Sequence, residues 1–271
     1  MIMDKKQLQE LARDPRFIPG IYNYCDRWCE RCAFTFRCMT FALEENESDG
    51  PQSYDIHNKA FWDKLHDIFQ LTLEMVSETA EQMGIDINAI DHDEMAEQTE
   101  QVHNLSKVQP YSLAAESYIH TVNVWFDSNE VILKEKVSEL QTLAQADIPG
   151  VRPSDEVINI EDCLEVIRWY QHQIYVKLCR AASGLLHSKF GSLEYSARDA
   201  NGSAKVAIIG IERSMAAWGY LLNRLPDQER GIIDMLVSLK RLLRQIETAF
   251  PDARMFLRPG FDIPVEEKGE K

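Results

Sequence analysis

The stretch 204-AKVAIIGIERSMAAWGYLLNRL-225 decides the fold class. Its large apolar residues Ile208, Ile211, Met215, Trp218, Leu222 and Leu225 recur at intervals of three and four. An α-helix turns once in about 3.6 residues, so this spacing lays one apolar stripe along one side. Such a stripe is the seam by which helices of a bundle meet. A half-buried strand would alternate in steps of two, and no segment of this chain does so convincingly.

The same period recurs on either side of that stretch. Residues 61–83 carry Phe61, Leu65, Ile68, Thr72, Met75, Thr79 and Met83 along one face. Residues 112–145 carry Ile119, Val122, Phe126, Leu133, Val137, Leu140 and Ala144, and residues 160–187 carry Ile160, Leu164, Ile167, Ile174, Leu178, Ala181 and Leu185. A further helix at about 228–249 has Ile232, Leu236, Leu239, Leu243 and Ile246. Proline, which breaks helix interiors, is absent from all of these. Asn159, Ser203 (after Asn201-Gly202) and Asp227 are candidate N-caps. Residues 86–106 are a weak acidic helix or an ordered loop, and the tail from Pro251, rich in proline and glycine, should be extended. The four tryptophans 62, 125, 169 and 218 fall one on each of four helices and should be core residues. The expectation is an all-α protein. Residues 1–50 form a small cysteine-rich module, and residues 51–271 an antiparallel helical bundle with an acidic linker, EENESDGPQSYD, and an extended tail.

Charge bounds the partners. The chain has 29 Lys and Arg against 44 Asp and Glu, a net charge of −15 over 271 residues. A field of that sign repels phosphate backbones and anionic lipid, so broad nucleic-acid and membrane-surface roles are disfavoured. The longest runs without a charged side chain are ten residues, whereas a bilayer span needs about 18 or more. The start, MIMDKKQLQELARDPRF, lacks the apolar stretch of a signal peptide, and the expectation is a cytoplasmic protein. The acidity is uneven. Residues 1–42 hold seven basic and five acidic side chains, leaving the rest of the chain at −17.

The chemistry is concentrated in that less acidic segment. Cys25, Cys29, Cys32 and Cys38 are spaced C-x3-C-x2-C-x5-C, so four thiols within 14 residues can converge without help from the rest of the fold. In a reducing compartment such a group points to a metal centre rather than to disulfides. Four cysteines suit structural zinc, with Cys29-x2-Cys32 as a knuckle, and also suit an iron–sulfur cluster. Arg27, Arg31 and Arg37 could offset the thiolate charge or serve solubility alone. Phe17, Tyr22, Tyr24, Trp28, Phe34, Phe36 and Phe41 could shield the centre or be only the module's small core. Cys163 and Cys179, 16 apart on one helix, read as apolar residues.

The first three thiols match the C-x3-C-x2-C signature of radical SAM enzymes, which use a β/α barrel; this chain has no strand pattern. The run Cys29-Glu-Arg-Cys32-Ala-Phe-Thr-Phe-Arg-Cys38-Met-Thr-Phe-Ala-Leu43 resembles the C-x2-C-P-V-x3-C-L-x2-A-L segment of WhiB-like iron–sulfur proteins. The resemblance covers about 15 residues. Alanine stands where proline is usual, the fourth cysteine is only four residues upstream, and the family's tryptophan–glycine turn is missing. What it implies is a [4Fe-4S] cluster held by Cys25, Cys29, Cys32 and Cys38, ahead of Zn2+ as the alternative.

A second metal site is conceivable in the helical body. Glu116-x3-His120, Glu165-x6-His172 and Glu212 offer carboxylates and imidazoles on three helices, as di-iron bundles do. The Glu-x6-His spacing is similar to part of the ligand set of haem-oxygenase-like di-iron oxidases, although there the acid-x3-His pair comes later in the chain. All five residues fall at the flanks of their apolar stripes, where charged groups are commonly solvated. His57, His66, His92, His103 and His187 show no ligand-like arrangement, and no P-loop or dinucleotide fingerprint occurs. Asp199-Ala-Asn201-Gly202 reads as a turn. The function expected is redox sensing or electron transfer with a protein partner met through the N-terminal module. A structural zinc module is the alternative, and a helical-bundle di-iron oxidase the second.

Overall fold

The computed structural model describes residues 5–47, 57–89, 92–146, 152–189 and 194–262. Among them all regular structure is helical, and no helix is long and apolar enough to cross a membrane. In chain order the α-helices are α1 (Lys5–Arg13), α2 (Met39–Glu47), α3 (Lys59–Met83), α4 (His92–Lys107), α5 (Pro110–Gln145), α6 (Pro153–Lys189), α7 (Glu194–Leu222) and α8 (Glu229–Ala249). Short 3-10 turns fill several of the connections. The chain divides into two compact units: Met1–Gln98 with Leu257–Lys271, and Thr99–Phe256. The boundary of the expected N-terminal module and most of the acidic linker lie outside the described residues.

In the second unit α5 packs on α6 and α8, and α7 packs on α6 and α8. Contacts run in opposite order along each of several pairs. On α6 and α7, Gly184 faces Ser196 and Ala200, while Tyr170 and Ile174 face Gly210. On α5 and α8, Tyr111 meets Phe250 edge-on, and Trp125 lies against Gly231. The core is built around two tryptophans from different helices, Trp125 and Trp218, whose rings meet edge-on at 4.8 Å. The Trp218 indole N–H donates to the Tyr118 hydroxyl at 2.9 Å, so a fully buried polar atom has its partner.

The stripe that decided the fold class is correct in register and slightly off in centre. Ile208, Ile211, Trp218 and Leu225 are buried, Met215 and Leu222 are half-buried, and Leu221 is buried in their place. The helix starts differ more. α6 begins at Pro153 rather than at Asn159, since proline tolerates the first turn, where its missing N–H is not needed. α7 begins at Glu194, so Ser203 is not a cap and Asp199–Gly202 is not a turn; all lie inside the helix. Buried Ala200, Gly202, Ser203 and Ala204 are small enough for close helix approach, and that packing outweighs the weak helix propensity of Asn201-Gly202. Asp227 sits in a 3-10 turn ahead of α8, which begins at Glu229 after an uncapped Gln228. Residues 92–107 are helical.

In the first unit, the expected face of α3 is its less exposed side but is not a buried core, and Thr72, Thr79 and Met83 on it are exposed. Phe61, Leu65, Ile68 and Met75 are only half-buried, while Trp62, Phe69, Leu73, Val76 and Met83 are exposed. Trp62, at 55% exposure, is therefore not a core residue. The tail after Pro251 is not extended throughout: Ala253–Met255 forms a 3-10 turn, and Lys205 Nζ donates to the carbonyl oxygens of Arg254 and Phe256.

Candidate metal centre

The cysteine segment folds as three consecutive 3-10 turns, Ile21–Tyr24, Cys29–Arg31 and Thr35–Arg37, followed by α2. The spacing of the thiols follows from those turns. Cys25, Cys32 and Cys38 each end one turn in an extended conformation, and Cys29 opens the middle one. The Cys32 and Cys38 amides close their turns on the carbonyl oxygens of Cys29 and Thr35, each at 3.1 Å. Between Cys25 and Cys29 the chain reverses through Arg27 at φ 59°, the one positive φ outside glycine among the described residues. The Asp26 carboxylate accepts from the Trp28 amide at 3.3 Å beside it. The segment is tied to the preceding strand of chain by the Ile18 amide on the Arg37 carbonyl, 3.0 Å, and by Arg37 Nε on the Arg16 carbonyl, 3.3 Å.

All four thiols line one open concavity. Its wall is aromatic, with Tyr22, Trp28, Phe34 and Phe41 from the same segment and Phe261 from far along the chain. The expected aromatics therefore divide. Four of the seven line the concavity together with the buried Ile21, Tyr24 is buried outside that lining, and Phe36 is 74% exposed. Phe17 is half-buried, with the Arg16 guanidinium above its ring.

Burial dominates the electrostatics at Cys29 and Cys32. It pushes Cys29 up, reinforced by Glu44 and by the other three sulfurs. It pushes Cys32 up as well, against a hydrogen bond from the Phe34 amide to the Cys32 sulfur at 3.4 Å. An N–H aimed at sulfur favours the thiolate, the form that holds a metal. Two of the three arginines are engaged with neighbours. Arg31 lies 4.1 Å over the Trp28 ring and Arg37 holds the Arg16 carbonyl, while burial and neighbouring negative charge set the two thiols.

Among the described residues, no group of three or more His, Cys, Asp or Glu side chains is gathered as the shell of a metal ion. The four cysteines line one concavity without being gathered into such a shell. Four thiols on one concavity are the kind of donor set that four-cysteine metal centres use. Glu116, His120, Glu165, His172 and Glu212 are all exposed and are not brought together. Glu212 pairs with Arg254 at 2.9 Å, and the His172 ring nitrogen lies 3.3 Å from the Gln171 amide. Their flank positions put them on the outside of the helices, as the stripe geometry implied. His57, His66, His92 and His103 are exposed, and His187 is half-buried.

Sequence reasoning missed Phe261. No local spacing relates it to the cysteines, and its segment carried only the signal of an irregular tail. Comparison of the chain with known protein families, with curated proteins and with solved structures found no match.

Proposed function

We propose that Cys25, Cys29, Cys32 and Cys38 bind a [4Fe-4S] cluster, and that the protein serves redox sensing or electron transfer in the cytoplasm. The observation that carries this reading is one aromatic-walled concavity lined by all four thiols, with an amide N–H already on one sulfur. When bound, such a cluster supplies one-electron exchange. The chain's own residues keep the ligands half-buried, and so within short reach of a partner at the surface. In this reading the second unit is an antiparallel helical bundle that acts as scaffold. The partner is a protein with an acidic or redox-active face, met by a surface that includes the exposed Arg13, Arg16, Arg27 and Arg31.

The test is metal and sulfide analysis of protein purified under argon. About four iron and four sulfide per chain, with absorbance near 400 nm, is the expected result. Stoichiometric zinc without sulfide would instead make the segment a structural module and end the redox reading. Replacing His120 and His172 together should leave iron content unchanged; loss of iron in that variant, with the cysteines intact, would revive a di-iron site in the helical body.

A further inference from the structure

Resting on the cluster reading, we propose that residues 257–262 complete the cofactor site, with Phe261 as the wall that keeps water and small reagents from the sulfurs. Phe261 meets the ring of Phe34 edge-on, with centroids 5.1 Å apart and planes at 74°. Phe34 is the residue whose amide holds the Cys32 sulfur. Displacing Phe261 therefore opens the concavity at the side where a thiol is hydrogen-bonded.

The segment is built to present this one ring. The Arg258 guanidinium reaches both carboxylate oxygens of Asp262, Nε to Oδ2 and Nη2 to Oδ1 at 3.0 Å each. The Arg258 amide also donates to Asp262 Oδ2, and the Asp262 amide returns to the Arg258 carbonyl at 3.1 Å. These bonds close the turn around Pro259, Gly260 and Phe261. Both charged side chains are largely buried, at 14% and 21% exposure, so the pair is a fixed clamp rather than a solvated surface contact. The same guanidinium lies 4.8 Å over the Phe261 ring and fixes its face.

Gly260 explains how close the turn comes. Its φ is +77°, a conformation that side chains with a Cβ rarely adopt. An added Cβ would stand 2.9 Å from the terminal carbons of both Ile18 and Ile21, the buried pair beneath the cysteine segment. The turn thus sits directly on the floor of the site. The part-buried ion pair, the left-handed glycine and the guanidinium over the ring together hold Phe261 in the wall of the thiol concavity.

The experiment compares the full-length protein with Phe261→Ala, Phe261→Leu and Asp262→Asn by two rates. In metal-free, reduced protein, Cys25, Cys29, Cys32 and Cys38 should react with a maleimide at least threefold faster in Phe261→Ala. In protein loaded under argon, a soluble iron chelator should extract the bound iron at least threefold faster. Phe261→Leu, which keeps bulk, should return both rates to within twofold of the natural chain. Asp262→Asn, which loosens the clamp and leaves the ring, should move both in the same direction as Phe261→Ala, and it carries the test if the alanine variant does not fold. Equal rates in the natural chain, Phe261→Ala and Asp262→Asn would overturn the proposal. The maleimide arm needs no metal, so protein that binds no iron but shows the rate increase would defeat the cluster reading while leaving the wall in place.

Discussion

Gly184 on α6 sets how closely α6 and α7 approach, and replacing it with alanine puts a number on that contact. A Cβ there would stand 2.9 Å from the Ser196 carbonyl oxygen and 3.1 Å from the Ala200 Cβ. The first is a backbone atom with no rotamer to yield, so the helices must move apart. Overpacking of this kind costs about 1–3 kcal/mol, from which roughly 1 kcal/mol is recovered because alanine favours a helix interior over glycine. With a backbone obstacle the lower end is excluded, and Gly184→Ala should lose about 1–2 kcal/mol, or about 2–8 °C in Tm for a unit of this size. Gly219→Ala on α7 is the matched control, because nothing lies within 4 Å of its added Cβ. With no clash it should gain roughly 0.5–1 kcal/mol from propensity alone. Urea and thermal unfolding followed by circular dichroism at 222 nm reads both. If Gly184→Ala is stabilised as much as Gly219→Ala, the two helices are not in contact at Gly184 and the packing argument fails.

Tyr118→Phe should cost about 1–3 kcal/mol in urea unfolding, because the fully buried Trp218 N–H loses its acceptor; a change below 0.5 kcal/mol would show that water or another group replaces it. Burial pushes the Cys163 thiol up to about 11. At pH 8 only about one molecule in a thousand then carries the thiolate there, so alkylation of Cys163 should be on the order of a hundredfold slower in native protein than in urea. Comparable rates would contradict its placement. Metal loading of the cysteine segment should weaken as pH falls. Burial raises the thiols at Cys29 and Cys32, so both are protonated below the ordinary cysteine range and must release protons to bind. Affinity that is flat between pH 6 and 8 would refute this. The sign is fixed: a raised thiol favours the metal-free form at low pH, and the bound form gains as pH rises.

What the sequence disclosed depended on how locally each feature was encoded. The period of Ile208, Ile211 and Trp218 is a property of consecutive residues, and it survives in the structure as a buried face. The α7 start did not survive, because Asn201 and Gly202 have weak helix propensity and only a neighbouring helix reveals why small residues are wanted there. Trp62 was misread for the opposite reason. A large apolar residue on a helical period says that a face exists, not that another element covers it. The four cysteines were visible because their spacing lies within 14 residues. Phe261 was not, since its relation to them exists only after folding.

The two sides of the concavity are also separated in time. Synthesis proceeds at about 5–20 residues per second. Phe261 follows Cys38 by roughly 220 residues, so all four thiols are present about 10–45 s before the ring that walls them is made. During that interval the N-terminal segment lacks its last wall, and its thiols are open on that side. Once Arg258 and Asp262 close their turn, Phe261 completes the wall. The order of residues along the chain therefore doubles as an order of assembly, thiols first and wall afterwards.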